Sequence, residues 1–230
     1  MTLDARLPIP AHEAYRLWAT TYDHENVLSA LDEHAISILT PPLAGLALLD
    51  AGCGTARRLV FKCDAAPRRA VGIDLVFEMI LRSRHDPQRT TTLAVGDIQA
   101  LPIAEAKFDV VWCRLAAGHI EQLDVLYREL SRVTRRGGFV IITDFHPEAS
   151  RRGHVRSFRD ATGTSRVVEH AMHEAADHEC AAQRSGLSVD ARLDLAVGPG
   201  VKHFYEAAGV LSRYERDCGL PLLLALRYRR

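Results

Sequence analysis

The chain has 230 residues, of which 47% are hydrophobic and 25% charged. That suits one α/β domain with a small insert and excludes global disorder. Lys plus Arg number 29 and Asp plus Glu 29, and this zero balance disfavours nucleic acid as the main partner, because duplex-binding domains carry a positive excess.

Ala11 to Leu39 reads as helix, with apolar residues at three- and four-residue spacing: Tyr15 and Trp18, then Val27, Leu28, Leu31, Ala35, Ile36 and Leu39. The polar run Tyr22 to Asn26 predicts a break between two helices. Pro41-Pro42 ends the section, since proline lacks a backbone donor and restricts its predecessor.

The period then changes. Short apolar runs at Ala47–Asp50, Ala70–Asp74, Thr92–Asp97, Phe108–Cys113 and Gly138–Asp144 predict five strands. Phe77–Arg84 and Leu123–Val133 predict helices between them. This alternation predicts βαβ units and a parallel sheet covered on both faces.

After Pro147 the chain turns polar and basic. Arg151 to Arg166, with an Asp160-Ala161-Thr162-Gly163 turn signal, predicts a hairpin-like excursion over the strand ends. Glu174 to Ser185 predicts a helix that stops at Gly186. Ser188 to Val197 alternates as a strand, Val201 to Cys218 predicts a helix despite Gly209, and Leu222 to Tyr228 predicts a final strand.

No apolar run approaches the ~20 residues of a membrane span. The first residues lack a basic start followed by an apolar stretch, so no signal peptide is expected. Cys53, Cys63, Cys113, Cys180 and Cys218 are odd in number and form no C-x-x-C pair. Reduced, mostly buried thiols and a cytoplasmic location are therefore expected.

The strongest local motif is Leu48-Leu49-Asp50-Ala51-Gly52-Cys53-Gly54-Thr55, read as a strand, a glycine turn and then a helix. Glycines admit a ligand where a Cβ would collide, and a helix N-terminus offers free N–H groups. Asp74 ends the next strand, 20 positions after Gly54, the separation at which an acid reaches ribose hydroxyls. The third glycine of a dinucleotide fingerprint is missing, since Ala56-Arg57-Arg58 follows. Asp50 in the strand would repel a pyrophosphate and suits a nucleoside with a cationic tail.

These segments, with VGIDLVFEMI (71–80), GDIQALPIAEAKFDVVWC (96–113) and ELSRVTRRGGFVIITDF (129–145), resemble the class I S-adenosylmethionine-dependent methyltransferases. The likeness runs from about Tyr15 to Pro147 and points to the small-molecule branch that includes quinone-biosynthesis methyltransferases. It implies a Rossmann-like, doubly wound, mostly parallel seven-stranded sheet with an antiparallel C-terminal edge strand and helices on both faces. It also implies S-adenosylmethionine as cofactor, S-adenosylhomocysteine as product and a small-molecule acceptor as partner. By the same resemblance, residues 1–40 form a helical lid and 45–147 the cofactor-binding core. Residues 148–187 form a substrate-covering excursion, and 188–230 the C-terminal strands and helix.

Carried over residue by residue, Asp50, Gly52, Cys53 and Gly54 surround the donor's methionine moiety and Asp74 takes the ribose. Leu75 and Met79 flank the adenine, Asp97 accepts from its amino group, and the Ile98 backbone meets the ring. Trp18 and Tyr22 close over the cofactor. Cys113, Arg114, Leu115 and Ala116, after the fourth strand, line the passage to the reacting methyl, with Leu115 towards the substrate. The family usually carries Gly where this chain has Ala56.

His119 follows the fourth strand, His146 follows the fifth, and His24 lies in the expected lid. Each is a candidate general base, set against the plain reading of a hydrogen-bonded loop histidine. His170 and His173 are expected to border the substrate pocket. With His178 and Cys180 they invite a metal reading, which is set aside. Five positions separate His173 from His178, so the rings diverge on a helix, and the ligand set is incomplete. Rival readings are a methyltransferase acting on RNA or protein, a donor-binding subunit without catalysis, and a nicotinamide oxidoreductase. The last is disfavoured by Asp50. Exposed alternation near the C-terminal strands would suit a homodimer.

Overall fold

The structure is a computed structural model that describes residues 7–61, 65–83 and 91–230. The first six residues, Cys63 and Arg84 lie outside the described residues.

Two N-terminal helices form, α1 (Ala11–Trp18) and α2 (Val27–Leu39), separated at the expected polar break. Asn26 opens α2 with a reciprocal cap: its side chain accepts the Ser29 N–H at 3.0 Å and its own N–H donates to the Ser29 hydroxyl at 2.9 Å. Of the segment expected as a lid, the described residues 7–40 divide between two helices with different surroundings. Helix α2 buries Leu31, Ala35, Ile36 and Leu39 against Leu48, Trp112 and Leu223 of the sheet, so it belongs to the core.

The sheet strands are β1 (Ala47–Ala51), β2 (Arg69–Asp74), β3 (Thr91–Val95), β4 (Phe108–Arg114) and β5 (Thr134–Phe145). A two-stranded hairpin, β6 (Ser157–Arg159) and β7 (Ser165–Val167), stands apart from the sheet. Its turn is tied by the Asp160 carboxylate, which accepts the N–H groups of Thr162 and Thr164 at 3.0 Å. The last two sheet strands are β8 (Ser188–Ala196) and β9 (Pro221–Arg229).

The strand order is β3-β2-β1-β4-β5-β9-β8. Strands β1 to β5 pair in parallel, and β9 pairs antiparallel with both β5 and β8. The antiparallel C-terminal strand lies on the expected side of the sheet. It is inserted between β5 and β8, so β8 takes the outermost place.

Helices cover both faces. On one, α4 (Leu123–Val133) and α6 (Ala175–Arg184) pack through Leu126, Tyr127, Leu130 and Ala181 onto Leu49, Val111, Val140 and Leu226. On the other, α2 packs onto Leu48, Val110, Ile141 and Ala225. The sheet residues alternate between the two clusters as the strand period of two requires. Burial on both faces explains why β1 reads as an uninterrupted apolar run up to Asp50.

Three connections differ from the sequence reading. No α-helix follows the glycine turn among the described residues between β1 and β2. Gly52, Gly54 and Ala56 have φ of +83°, +56° and +55°, and such backbone cannot continue a right-handed helix. Helix α3 (Phe77–Leu81) is a single short piece after β2, and Pro147 opens a second, α5 (Pro147–Arg151). Gly209, at φ +67°, splits the expected C-terminal helix into α7 (Lys202–Ala207) and α8 (Leu211–Asp217). Of the cysteines, Cys53 and Cys113 are buried, whereas Cys180 and Cys218 are exposed.

Strand β1 sits between β2 and β4, so the chain winds away from it in both directions. A crevice opens outside the carboxyl ends of strands at such a switch point.

Candidate active site

A cavity of about 350 Å³ fills that crevice. Its floor is the glycine turn after β1, its sides are the ends of β2, β3 and β4, and α1 crosses above through Ala11 and Tyr15. Of the residues expected to hold a donor, Tyr22, Gly52, Gly54, Asp74, Leu75, Asp97, Ile98 and Arg114 all line it.

The turn is held from within. The N–H groups of Gly52 and Cys53 donate to the Ile73 carbonyl at 2.8 and 3.0 Å, and that of Gly54 to Asp74 Oδ2 at 2.7 Å. With these donors spent and no helix N-terminus behind them, the turn is poorly equipped to cradle a pyrophosphate. Glycine is required at Gly52 for space as well as for φ: a Cβ there would lie 2.8 Å from Ala116 Cβ.

Asp74 also accepts the Val76 N–H through Oδ1 at 2.8 Å. Burial raises its pKa, and the two backbone N–H groups hold it down only in part. Asp97 accepts the Gln99 N–H at 2.8 Å, an Asx turn that presents Ile98 to the cavity.

Asp50 lies beneath the turn and outside the cavity lining. It is buried, and its Oδ1 has no hydrogen-bond partner among the described residues. Burial pushes its pKa up to about 7; Arg114 pulls the other way, and Asp32 and Asp74 reinforce the rise. Cys53, Met79 and Cys113 are likewise buried behind the wall. The Cys53 thiol packs towards Gly72, where a Cβ would meet its Sγ at 2.8 Å.

Arg114 contributes to the lining, yet its charge is used elsewhere. Its guanidinium grips Asp32 Oδ2 of α2 at 2.6 Å and Glu33 at 2.9 Å, while Asp32 Oδ1 accepts the Thr143 hydroxyl at 2.7 Å. These bonds fasten α2 to β4 and β5. Leu115 follows with φ +52°, a strained value for a bulky residue, as occurs where ligand sites constrain the chain.

The candidate bases separate clearly. His119 lines the cavity. Its Nδ1 is 3.1 Å from the Glu169 carbonyl, which can only accept, so Nδ1 donates and Nε2 accepts from Tyr15 Oη at 2.9 Å. Burial, followed by nearby Arg156, pushes the His119 pKa down to about 3, so the ring is neutral near pH 7. His146 does not enter the cavity: its Nδ1 caps α5 by accepting the Glu148 N–H at 3.1 Å, and Nε2 meets Asp194 at 3.0 Å. His24 is exposed in the α1–α2 turn and does not line this cavity. Neither is placed to act as a base.

His170 stands behind His119, ring centroids 5.5 Å apart, with Nε2 3.2 Å from Asp144 Oδ1. His178 approaches the other oxygen at 3.3 Å. Burial would raise the Asp144 pKa, but contacts with His170 and His178 outweigh it and keep the carboxyl below the usual range. His173 bonds the Ile120 carbonyl at 2.8 Å and braces the turn after β4 rather than bordering the cavity. Among the described residues no group of three or more His, Cys, Asp or Glu side chains is arranged to hold a metal ion. No helix of the described residues is long and apolar enough to cross a membrane.

A second cavity, of about 440 Å³, adjoins the first through Tyr22 and Leu115. Trp18, expected over the donor, lines this one instead, stacked on Phe158 at 4.8 Å. Sequence reasoning missed Tyr15 and Arg156. Tyr15 passes as one more apolar helix residue, and Arg156 sits unremarked in a basic stretch. Their only signal is positional: Tyr15 faces the side of α1 that also carries Trp18, and Arg156 stands two residues before buried Phe158.

A donor with a cationic centre fits the first cavity. Acidic groups, Asp74, Asp97 and Glu169, line it. The buried Asp50 carboxyl beneath it has an Oδ1 without a hydrogen-bond partner among the described residues, and its glycine turn leaves space that side chains would fill.

Comparison with known proteins agrees. Residues 49–142 match a family model described as a methyltransferase domain. The chain is 29% identical over 175 residues to the malonyl-[acyl-carrier protein] O-methyltransferase of Pectobacterium atrosepticum, covering 76% of this chain and 68% of that one. It is 30% identical over 113 residues to the 2-methyl-6-phytyl-1,4-hydroquinone methyltransferase of a Synechocystis strain, covering 48% and 35%. The chain thus spans about two thirds of the first relative's length and about a third of the second's. In fold it is similar to an S-adenosylmethionine-dependent methyltransferase from Mesorhizobium loti, with a TM-score of 0.69 at 22% identity, over 88% of this chain and 100% of that one.

Proposed function

We propose that this chain, whose residues 49–142 match a methyltransferase domain model, is a class I S-adenosylmethionine-dependent methyltransferase that moves a methyl group from S-adenosylmethionine to a small-molecule acceptor. The observation that carries this reading is the cavity itself: a glycine turn whose Gly52, Cys53 and Gly54 N–H groups are already bonded, set among Asp74, Asp97 and Glu169. Names of relatives such as malonyl-[acyl-carrier protein] and hydroquinone methyltransferases support it.

In this reading Asp74 holds the ribose hydroxyls, and Asp97 with the Ile98 backbone meets the adenine. Asp50 stabilises the ammonium end of the methionine moiety. The bound donor supplies an electrophilic methyl group on sulfur. The protein's part is alignment and exclusion of water. Tyr15 and Tyr22 cover the cavity, and Leu115 with Ala116 marks its acceptor end. His119, whose only acceptor nitrogen Nε2 already takes the Tyr15 hydroxyl, holds Tyr15 over the cavity rather than acting as a base.

The test is incubation of purified protein with methyl-labelled donor and a small-molecule extract, with the macromolecular fraction in parallel. Label in a small-molecule peak is the expected result. Label confined to macromolecules overturns the acceptor class, and absence of donor binding overturns the whole reading.

A further inference from the structure

The two adjoining cavities carry opposite charge. Asp74, Asp97 and Glu169 line the first, whereas among the described residues no Asp or Glu lines the second. Around the second stand Arg57, Arg156, Arg213 and His154, with Trp18 and Phe145 as an aromatic wall. Arg57 is compensated by Glu25 at 3.0 Å. Arg213 is exposed to solvent.

Arg156 is different. It is only 7% exposed, and among the described residues no carboxylate stands within ion-pair distance of it. Its guanidinium donates through Nη1 to the Leu115 carbonyl at 3.1 Å and through Nη2 to Tyr15 Oη at 2.8 Å. A guanidinium has five N–H donors, so most remain for a ligand. Burying a cation without its counter-charge is unfavourable, and an anionic ligand would supply that counter-charge. Contrast Arg114, equally buried, which meets two carboxylates.

We propose that the second cavity is the acceptor site and that the acceptor is an amphipathic anion. Its carboxylate or phosphate is held by Arg156, and its apolar body lies against Trp18 and Phe145. The proposal rests on the methyltransferase reading above. It deepens that reading by assigning a substrate class to the space beyond Leu115. The charge division has a physical use: a cationic donor and an anionic acceptor are each drawn to their own side of the Tyr22–Leu115 boundary, and each is repelled from the other's.

Calorimetry with octanoate, octyl phosphate and 1-octanol tests this, with donor affinity measured on the same protein. The unaltered protein is expected to bind one of the anions at least about tenfold more tightly than 1-octanol, a difference of about 1.4 kcal/mol. The better of octanoate and octyl phosphate identifies the headgroup. Arg156→Gln should remove that preference and leave donor affinity within about twofold, and Arg156→Lys should restore part of it. Equal binding of 1-octanol and both anions overturns the proposal without recourse to any variant. So does an Arg156→Gln protein that loses donor affinity in step with anion affinity, which would place the donor's own carboxylate on Arg156. Failure of S-adenosylmethionine to bind overturns the methyltransferase reading instead and is scored separately.

Discussion

The Asp74 carboxylate accepts the backbone N–H of Gly54 at 2.7 Å across a separation of 20 residues. One bond thus joins the acid at the end of β2 to the glycine turn after β1. Asp74 both shapes the turn and faces the cavity, so removing it acts twice. Asp74→Ala should weaken donor binding by about 10- to 100-fold, the value of one or two charge-assisted hydrogen bonds. It should also lower stability by about 1–3 kcal/mol, because the N–H groups of Gly54 and Val76 lose their acceptor. Calorimetry and a denaturant titration read the two effects. Unchanged donor affinity would remove Asp74 from the site.

Asp50 makes donor binding sensitive to pH. Its carboxyl in the free protein titrates at about 7, and the donor's ammonium favours the ionised form. Affinity should therefore rise with pH up to about 7, at most about tenfold per unit, and level off above. Asp50→Asn should flatten that profile. The same raised pKa has an opposite effect on stability: in the free protein Asp50 favours the fold least above about pH 7, where the buried group is charged. Asp50→Asn should accordingly raise the melting temperature at pH 8, and a fall there would contradict this account.

His119 contributes to acid sensitivity. Its pKa is pushed down to about 3 in the fold, against about 6.5 when unfolded. The unfolded chain binds the extra proton between those values, so stability falls as pH drops through that window, by up to about 1.4 kcal/mol per unit. His119→Gln should lose less stability than the unaltered protein between pH 6.5 and pH 4 in urea titrations. Parallel losses would show that the buried ring does not titrate as described.

Gly52 and Ala116 are tested as a pair. A Cβ at Gly52 would lie 2.8 Å from Ala116 Cβ, at a backbone φ of +83°. Gly52→Ala should cost about 2–4 kcal/mol, combining left-handed strain with overpacking. Adding Ala116→Gly should recover the steric share and leave the strain, a non-additivity of about 1 kcal/mol or more. Strict additivity in chemical denaturation would mean the two sites do not press on one another.

Much of the candidate donor site is legible in the chain. Gly52, Gly54, Asp74, Asp97 and Ile98 all come to the cavity because each sits at the end of a strand, where backbone direction fixes which way the next residue faces. The strand reading succeeded for the same reason, since apolar runs bounded by turns are local. The helix after the glycine turn was misread because Ala56 takes a left-handed conformation that its side chain does not advertise. His119 comes to the cavity, but His146 and His173 do not, because position after a strand does not say which way an imidazole turns. His146 is drawn aside by the Glu148 N–H and Asp194, and His173 by the Ile120 carbonyl.

The amino-acid sequence by itself determined the sheet, its glycine turn and the acids around it, because these follow from hydrophobic period, turn chemistry and strand-end geometry over a few residues. Only the tertiary structure decided where the charges fall. Arg156 reaches Tyr15 across 141 positions and finds no carboxylate, whereas Arg114 reaches Asp32 across 82 and is neutralised. Both are single arginines in the chain; long-range packing alone settles which of them is left with charge to offer a ligand.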